Sequence, residues 1–205
     1  MTILYSHPVS QHCRRILALI AEAGIDCDIR HVALEEGEHL SSDYLKINPN
    51  HQIPTLEDGN VVIHESNAIL RYFCNLHGLK DWYPPDAARR ALVDQWLDWT
   101  QCRLGPATFF VVFNTVFAGD QRNDELIALG HAQLKDLLPV LEGTLTTRDF
   151  VAGNAPTIAD LAAASNITHL ALAEASPHHP SIVAWIERMT GIRGFAQTLP
   201  MAQAA

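Results

Sequence analysis

The chain has 205 residues, 48% hydrophobic and 18% charged, with a formal net charge of −9. These values suit a globular protein of one large or two small domains and exclude a disordered chain. The acidic balance argues against nucleic acid and anionic membrane surfaces as partners. The apolar runs are too short for a secretory signal or a membrane span, and the four cysteines form no CxxC pair. We therefore expect a cytoplasmic protein with reduced thiols.

The first 78 residues alternate between strand and helix patterns. The β-prone run TILYS leads into a helix over residues 10–23 that Gly24 ends, and the segment CDIRHVAL predicts a second strand. A short helix around Asp43 follows, and then the segment IPTLEDGNVVIHES, whose two apolar runs flank a Gly-Asn turn, predicts a β-hairpin. A further helix has Ser66 as its N-cap candidate and ends at Gly78, which gives the order β-α-β-(α)-β-β-α.

The second half of the chain is predicted to be helical. The segment LKDWYPPDAA is a linker, because consecutive prolines cannot continue a helix. Beyond it, the apolar spacing predicts helices over residues 87–117, 123–146, 157–173 and 179–190. Thr157 and Asp160 form a variant of the capping box, which indicates the start of a buried helix rather than a chemical role.

Two features of the first half suit the binding of a small peptide. Pro54 enters a strand without a backbone donor, and the Ile53–Pro54 bond is a candidate for the cis form, so the backbone of Ile53 would stay free to pair with an extended ligand. At the next helix, the free amides around Ser66 suit a carboxylate and Glu65 suits an ammonium group. A ligand with both groups has an α-amino acid end. A plain strand-entry proline and an ordinary helix cap are the alternatives.

Histidines do not form a recognisable metal motif. His39 and His51 fall in polar loops before the hairpin, where surface histidines are common, and neither their spacing nor that of His178 and His179 fits a zinc pattern. We therefore expect no metal.

Taken together, the segments SQHCR, NPNHQIPTLEDGNVVIHESNAILRYF and FVAGNAPTIADLAAASNI resemble the soluble glutathione transferases over nearly the whole chain. The resemblance implies an α/β thioredoxin-like N-terminal domain over residues 1–79, a linker over 80–87 and an all-α C-terminal domain over 88–205. The segment SQHCR is most similar to the serine-type theta and delta classes, which places the catalytic serine at Ser10.

The resemblance also implies glutathione as co-substrate and a set of contacts to it. The backbone of Ile53 would pair with the cysteinyl part of glutathione, and Glu65 and Ser66 would hold the γ-glutamyl end. The expected binding residues are Ser10, His39, His51, Gln52, Ile53, Glu65, Ser66 and Asn67. Among these, the two histidines and Gln52 would approach the glycine carboxylate. Two positions depart from the family pattern: Asn67 stands where delta-type relatives often have arginine, and His12 replaces a frequent proline.

The expected chemistry is control of the glutathione thiol pKa. A free thiol has a pKa of about 8.5, and lowering it by about two units takes roughly 2.7 kcal/mol of preference for the anion. A hydrogen bond donated by Ser10 and the positive end of the first helix can supply this. Tyr5, Ser6 and Cys13 are the rival residues. The neighbouring arginines 14 and 15 either raise the local positive potential or lie on a solvated helix face.

The second substrate is expected to be a small hydrophobic electrophile that meets the helical domain. Phe109, Phe113 and Phe117 form an aromatic stripe with Phe110 beside it, typical of a buried core and, by the resemblance, of an electrophile pocket. We expect a homodimeric glutathione transferase. A glutathione-dependent disulfide oxidoreductase or peroxidase, and a non-catalytic binding module of the same fold, are the competing interpretations.

Overall fold

A computed structural model describes residues 1–200 of the chain. Residues 201–205, the end of the predicted helical domain, lie outside the described part. Among residues 1–200, none of the helices has both the length and the apolar character that crossing a bilayer requires.

The first half forms a mixed four-stranded sheet with helices on both faces. The strands are β1 (Thr2–Ser6), β2 (Asp28–His31), β3 (Thr55–Asp58) and β4 (Val61–His64), in the order β2-β1-β3-β4. β1 is parallel to β2 and antiparallel to β3, and β3 and β4 form the predicted hairpin. Gly59, at φ +58°, makes its tight turn with Asn60.

Three α-helices accompany this sheet: α1 (Gln11–Ala23), α2 (Ser42–Ile47) and α3 (Ser66–Leu76). Short 3-10 turns at Leu34–Glu36 and Glu38–Leu40 precede α2. Because side chains alternate along a strand, Leu4 joins the core beneath α1 and α3, whereas Ile3 and Tyr5 pack with Tyr44 of α2 on the other face. This alternation decides which side chains of β1 can approach the start of α1.

Up to residue 200, the second half contains six α-helices: α4 (Ala87–Trp99), α5 (Gly105–Val112), α6 (Asp124–Leu145), α7 (Ile158–His169), α8 (Pro180–Thr190) and α9 (Arg193–Ala196). Further 3-10 turns lie at Gly119–Gln121 and Leu170–Ala173. The range predicted as a single helix, 87–117, is helical throughout but contains π-helical turns at Thr100–Leu104 and Phe113–Phe117. Pro106 accounts for the first, because its ring and missing N–H are incompatible with a regular α-helical bond at that point.

A capping box at the start of α7 is confirmed. Asp160, fully buried, accepts hydrogen bonds from the Thr157 amide at 2.9 Å, the Thr157 hydroxyl at 3.0 Å, the Val151 amide at 2.9 Å and the Trp185 indole at 3.1 Å. Four donors therefore converge on one carboxylate, which ties α7 to α8 and to the loop before α7.

One hydrophobic core joins the two halves. It includes Leu4 and Ile16 from the first half and Trp185 and Phe195 from the second. α1 packs against both α7 and α9. At the contact with α9, Gly194 lies so close to the α1 backbone that it has no room for a Cβ atom. Its amide donates to Glu22 Oε2 at 2.8 Å.

Candidate active site

A cavity of about 110 Å³ lies between the first turn of α1, the segment before β3 and the start of α3. Four of the predicted binding residues line it, namely Gln52, Ile53, Glu65 and Ser66. His12, Asn48, Asn50, Pro54 and His64 complete the wall from the first half, and Gln101 reaches it from the second half. The predicted residues Ser10, His39, His51 and Asn67 lie outside this lining. Their roles stay predictions.

The segment before β3 is held so that the backbone of Ile53 stays open. The Ile53–Pro54 peptide bond is cis. The Gln52 carbonyl accepts from the Tyr44 hydroxyl at 2.7 Å and from Asn48 Nδ2 at 2.9 Å. Within residues 1–200 the Ile53 backbone itself forms no hydrogen bond, because the sheet ladder begins only at Thr55. An extended peptide can therefore pair with it.

The start of α3 offers unpaired amides to the cavity. The prediction of Ser66 as the N-cap is wrong, because Ser66 is the first helical residue and Glu65 occupies the capping position. Glu65 lies at φ +72° and ψ +109°, a conformation that is unusual for a residue with a side chain, and its carboxylate does not cap the helix. The Glu65 side chain is exposed, whereas Ser66 is buried. The free amides carry the positive end of the helix dipole, so this end of α3 suits a carboxylate, and the adjacent Glu65 suits an ammonium group.

Ser10, which was predicted to lie at the start of the first helix, is the N-cap of α1. Its Oγ accepts a hydrogen bond from the Cys13 amide at 3.3 Å, and its own amide donates to the His7 carbonyl at 3.1 Å. Because the hydroxyl oxygen is the acceptor in the cap, the hydroxyl proton remains free to be donated. Ser10 is half-buried at the open end of α1.

Two of the rival residues, Tyr5 and Cys13, are less suited than Ser10 to activate a thiol. Tyr5 donates its hydroxyl to Glu57 at 2.8 Å and accepts from Arg30 at 3.2 Å, on the sheet face that packs against α2. Burial, and next the Glu57 carboxylate, raise the pKa of Tyr5. The Cys13 thiol is fully buried and burial raises its pKa, which opposes thiolate formation.

Two buried arginines follow on α1, and the solvated-face interpretation of them is wrong. Arg14 is 1% exposed and Arg15 is 0% exposed. Arg14 turns toward the second half, where it donates to the Thr168 hydroxyl at 2.8 Å and to the Thr198 carbonyl. Arg15 turns toward the start of α3. Burial lowers the pKa of Arg14 to about 10 and that of Arg15 to about 9, so both carry their charge at neutral pH.

His12 is a cavity residue that the sequence reasoning treated only as a departure from a pattern. Burial lowers its pKa to about 3, with the charge of Arg15 as the second cause, so the ring is neutral at physiological pH. Its Nδ1 lies 3.5 Å from Ser66 Oγ. Asn67, in contrast, is fixed behind the cavity wall: its Nδ2 donates to the Leu97 carbonyl at 3.0 Å.

The aromatic stripe of the second half is largely exposed rather than core. Phe109 and Phe113 stack with ring centroids 4.9 Å apart and are 50% and 39% exposed. Phe117 is 41% exposed and stacks on His169 at 6.5 Å, whereas Phe110 is half-buried. The exposed rings form a ready apolar surface.

Among residues 1–200, His7, His31 and Glu35 are the one group of three potential metal ligands, with donor atoms within 4.8 Å of one another. His7 Nδ1 accepts from the Val9 amide at 3.2 Å, and its Nε2 lies 3.4 Å from Glu35 Oε2. In this arrangement the neutral ring carries its proton on Nε2. Binding of a metal ion at Nε2 would require that nitrogen to lose its proton.

The fold and cavity define a class of protein: a thioredoxin-like domain with a cis-proline before its third strand, joined to an all-helical domain. Family models agree with both parts. The glutathione S-transferase N-terminal domain matches residues 1–75, and the glutathione S-transferase C-terminal domain matches residues 105–192.

Curated and solved proteins give the same result. The chain is 33% identical over 199 residues to glutathione S-transferase theta-1 of Bos taurus, covering 93% of this chain and 83% of that protein. It is 31% identical over 188 residues to glutathione S-transferase D7 of Anopheles gambiae, covering 91% and 84%. Apo human glutathione-S-transferase T1-1 superposes with a TM-score of 0.89 at 27% identity, covering 100% of this chain and 94% of that one. The glutathione-bound theta-class enzyme of Xanthomonas axonopodis pv. citri gives 0.89 at 27% identity, covering 98% of each.

The chain therefore belongs to the glutathione S-transferase family, and it is a glutathione transferase. The predicted fold class, family and enzyme class are confirmed.

Proposed function

We propose that glutathione binds in the cavity and that Ser10 donates a hydrogen bond to its sulfur, which then attacks a small hydrophobic electrophile. The observation that carries this proposal is the meeting of Gln52, Ile53, Glu65 and Ser66 around one cavity beside the capped start of α1. The Xanthomonas relative has glutathione bound, and its match with this chain covers 98% of both chains. This supports glutathione as the ligand here.

In this proposal each part of the cavity binds one part of the tripeptide. The open Ile53 backbone pairs with the cysteinyl residue, in the manner of strand addition. The free amides around Ser66 bind the α-carboxylate of the γ-glutamyl residue, and Glu65 binds its ammonium group. Gln52, with His39 and His51 in the adjoining loops, approaches the glycine carboxylate.

Ser10 and α1 together supply the energy that the thiolate needs. A hydrogen bond from a hydroxyl to an anion contributes about 1.5–3 kcal/mol. The positive end of α1, a helix of 13 residues, contributes about 0.3–1 kcal/mol. Their sum covers the roughly 2.7 kcal/mol that a shift of two pKa units requires.

The electrophile is proposed to contact the exposed rings of Phe109, Phe113 and Phe117. The rings of Phe109 and Phe113 are stacked and already exposed, so they can contact an apolar partner without a change in core packing. We further propose, from the family alone, a homodimer in the cytoplasm with its domain boundary in the linker 80–87. Light scattering after gel filtration tests the oligomeric state.

The decisive experiment measures the ultraviolet absorbance of the bound glutathione thiolate against pH. Ser10→Ala should raise the pKa of the bound thiol by about 1–2 units, because it removes the hydroxyl donor. Ser10→Thr keeps a hydroxyl and should restore most of the shift. Tyr5→Phe is the matched control, since its hydroxyl bonds to Glu57, and should titrate as the parent protein does.

Equal titration of Ser10→Ala and the parent would refute the role of Ser10. Absence of glutathione binding at millimolar concentration would refute the proposal as a whole and favour a non-catalytic module. Reduction of mixed disulfides with little turnover of aryl halides would instead favour a disulfide oxidoreductase.

A further inference from the structure

In the part of the chain that the structure describes, Arg15 is a buried cation without a counter-ion. Its side chain is fully buried, and no carboxylate within residues 1–200 forms an ion pair with it. Within the described residues, its hydrogen bonds run from Nη1 alone, to Ser66 Oγ at 3.3 Å and to Asn67 Oδ1 at 3.0 Å. Its Nε and Nη2 atoms have no hydrogen-bond partner among residues 1–200.

Such an arrangement is unfavourable for stability alone. A buried charge without an opposite charge pays its desolvation cost uncompensated, and an apolar side chain of similar size would fill the space better. Arg14, the other buried arginine of α1, points in a different direction from Arg15. Arg14 points to the Thr168 hydroxyl and the Thr198 carbonyl in the second half, whereas Arg15 points to the first two residues of α3.

The contact with Ser66 fixes the direction of a hydroxyl proton in the cavity wall. A guanidinium can only donate, so Ser66 Oγ must accept from Arg15, and its own proton is left for another acceptor. His12 Nδ1, a ring nitrogen that accepts in one of its two tautomers, lies 3.5 Å from Ser66 Oγ. A carboxylate at the free amides of α3 would be a stronger acceptor at the same place.

We propose that Arg15 is a positioning residue for the α-carboxylate of the γ-glutamyl end of glutathione, acting from behind the cavity wall through Ser66 and Asn67. This inference rests on the proposed glutathione site. The charge of Arg15 adds to the positive end of α3, and its hydrogen bond turns the Ser66 hydroxyl toward the ligand. The binding of the carboxylate supplies a negative charge to Arg15, which forms no ion pair within residues 1–200.

The test compares Arg15→Met with Arg14→Met by isothermal titration calorimetry. Two ligands are used: glutathione, and 4-aminobutyryl-cysteinylglycine, which is glutathione without the γ-glutamyl α-carboxylate. Arg15→Met should weaken glutathione binding by about tenfold or more and should change binding of the analogue by less than about twofold. Arg14→Met, which removes an equally buried cation aimed elsewhere, should leave the ratio of the two affinities unchanged.

Two further readouts separate positioning from a purely structural role. Ligand-free Arg15→Met should unfold at a temperature equal to or above that of the parent, because it removes an unpaired buried charge. In steady-state assays the KM for glutathione should rise while kcat at saturating glutathione stays within about twofold. If Arg15→Met does not fold, Arg15→Lys, which keeps the charge, is compared with Arg15→Gln, which removes it; only the second should lose glutathione affinity.

Equal loss of affinity for both ligands, an unchanged affinity for glutathione, or the same loss in Arg14→Met would overturn the role of Arg15. These outcomes all require that the parent protein binds glutathione. Failure of the parent to bind it is a different result, which would overturn the proposed function itself.

Discussion

Gly130 permits the close packing of α6 against α5, the helix that carries Phe109 and Phe110. A Cβ atom at position 130 would lie 2.8 Å from the Ala107 carbonyl oxygen, 2.8 Å from Val111 Cγ2 and 3.0 Å from Phe110 Cβ. The first of these is a backbone atom inside a helix, which cannot rotate away as a side chain would. Gly130→Ala must therefore push α5 and α6 apart.

Gly143, in the same helix, is the matched control. It is exposed, and a Cβ atom there would meet no atom within 4 Å. In a helix interior, replacing glycine by alanine stabilises a protein by about 0.5–1 kcal/mol when nothing obstructs it. Overpacking costs about 1–3 kcal/mol. We expect Gly143→Ala to be stabilising by about 0.5–1 kcal/mol and Gly130→Ala to be destabilising by about 1–2 kcal/mol.

Urea unfolding followed by tryptophan fluorescence and circular dichroism measures both variants. The midpoints should move in opposite directions with an unchanged slope, and the melting temperature should shift by about 2–4 °C for each kcal/mol. A Gly130→Ala variant as stable as the parent would refute the reasoning, as would shifts of the same sign in both variants.

Three other predictions concern buried and exposed groups. Ellman's reagent should react rapidly with the exposed Cys102 but not with buried Cys13, so Cys102→Ser should remove the fast phase; a fast phase that persists contradicts this. Burial, and next the charge of Arg14, lower the pKa of His169 to about 4, below the value of about 6.5 in the unfolded chain. As pH falls, the unfolded state therefore binds a proton before the folded state does. The free energy of unfolding should decrease once the pH is below 6.5, and His169 should account for about 2 kcal/mol of the decrease at pH 5. His169→Gln should reduce the change in the urea unfolding midpoint between pH 7 and pH 5. A midpoint that depends on pH as steeply as that of the parent would contradict this prediction. In Asp160→Asn, a buried amide donor such as that of Thr157 faces an NH2 group and loses its acceptor. The free energy of unfolding measured in urea should therefore fall by about 2–4 kcal/mol. A loss below about 1 kcal/mol would contradict this prediction.

Local elements could be predicted from the sequence because their causes lie within a few residues. Ser10 and Gly24 bound α1 through hydrogen bonds to residues three and four positions away. The Gly-Asn turn fixes the hairpin in the same way, and Thr157 with Asp160 fixes the start of α7. The π-helical turn before Pro106 was missed, although the proline was visible, because the apolar spacing continues through it.

The side chains behind the cavity could not be predicted, since their partners are distant in the sequence. Arg15 meets Ser66 across 51 positions, and Arg14 meets Thr168 across 154. Charged residues on a helix usually face water, so a solvated helix face remained a possible interpretation of both arginines from the sequence alone. The same holds for His12, whose ring nitrogen lies beside Ser66, 54 positions away in the sequence. The signal in the sequence that pointed to His12 was that a histidine replaces the proline frequent at this position.

The core that runs through α1, α7 and α9 has a consequence for how the enzyme is handled. A fragment that stops in the linker would expose Ile16 and Leu19 of α1 to water and leave Glu22 without the Gly194 amide. Neither half is thus a free-standing module. We expect the whole chain to melt in a single cooperative step, and we expect an isolated glutathione-binding half to aggregate on expression.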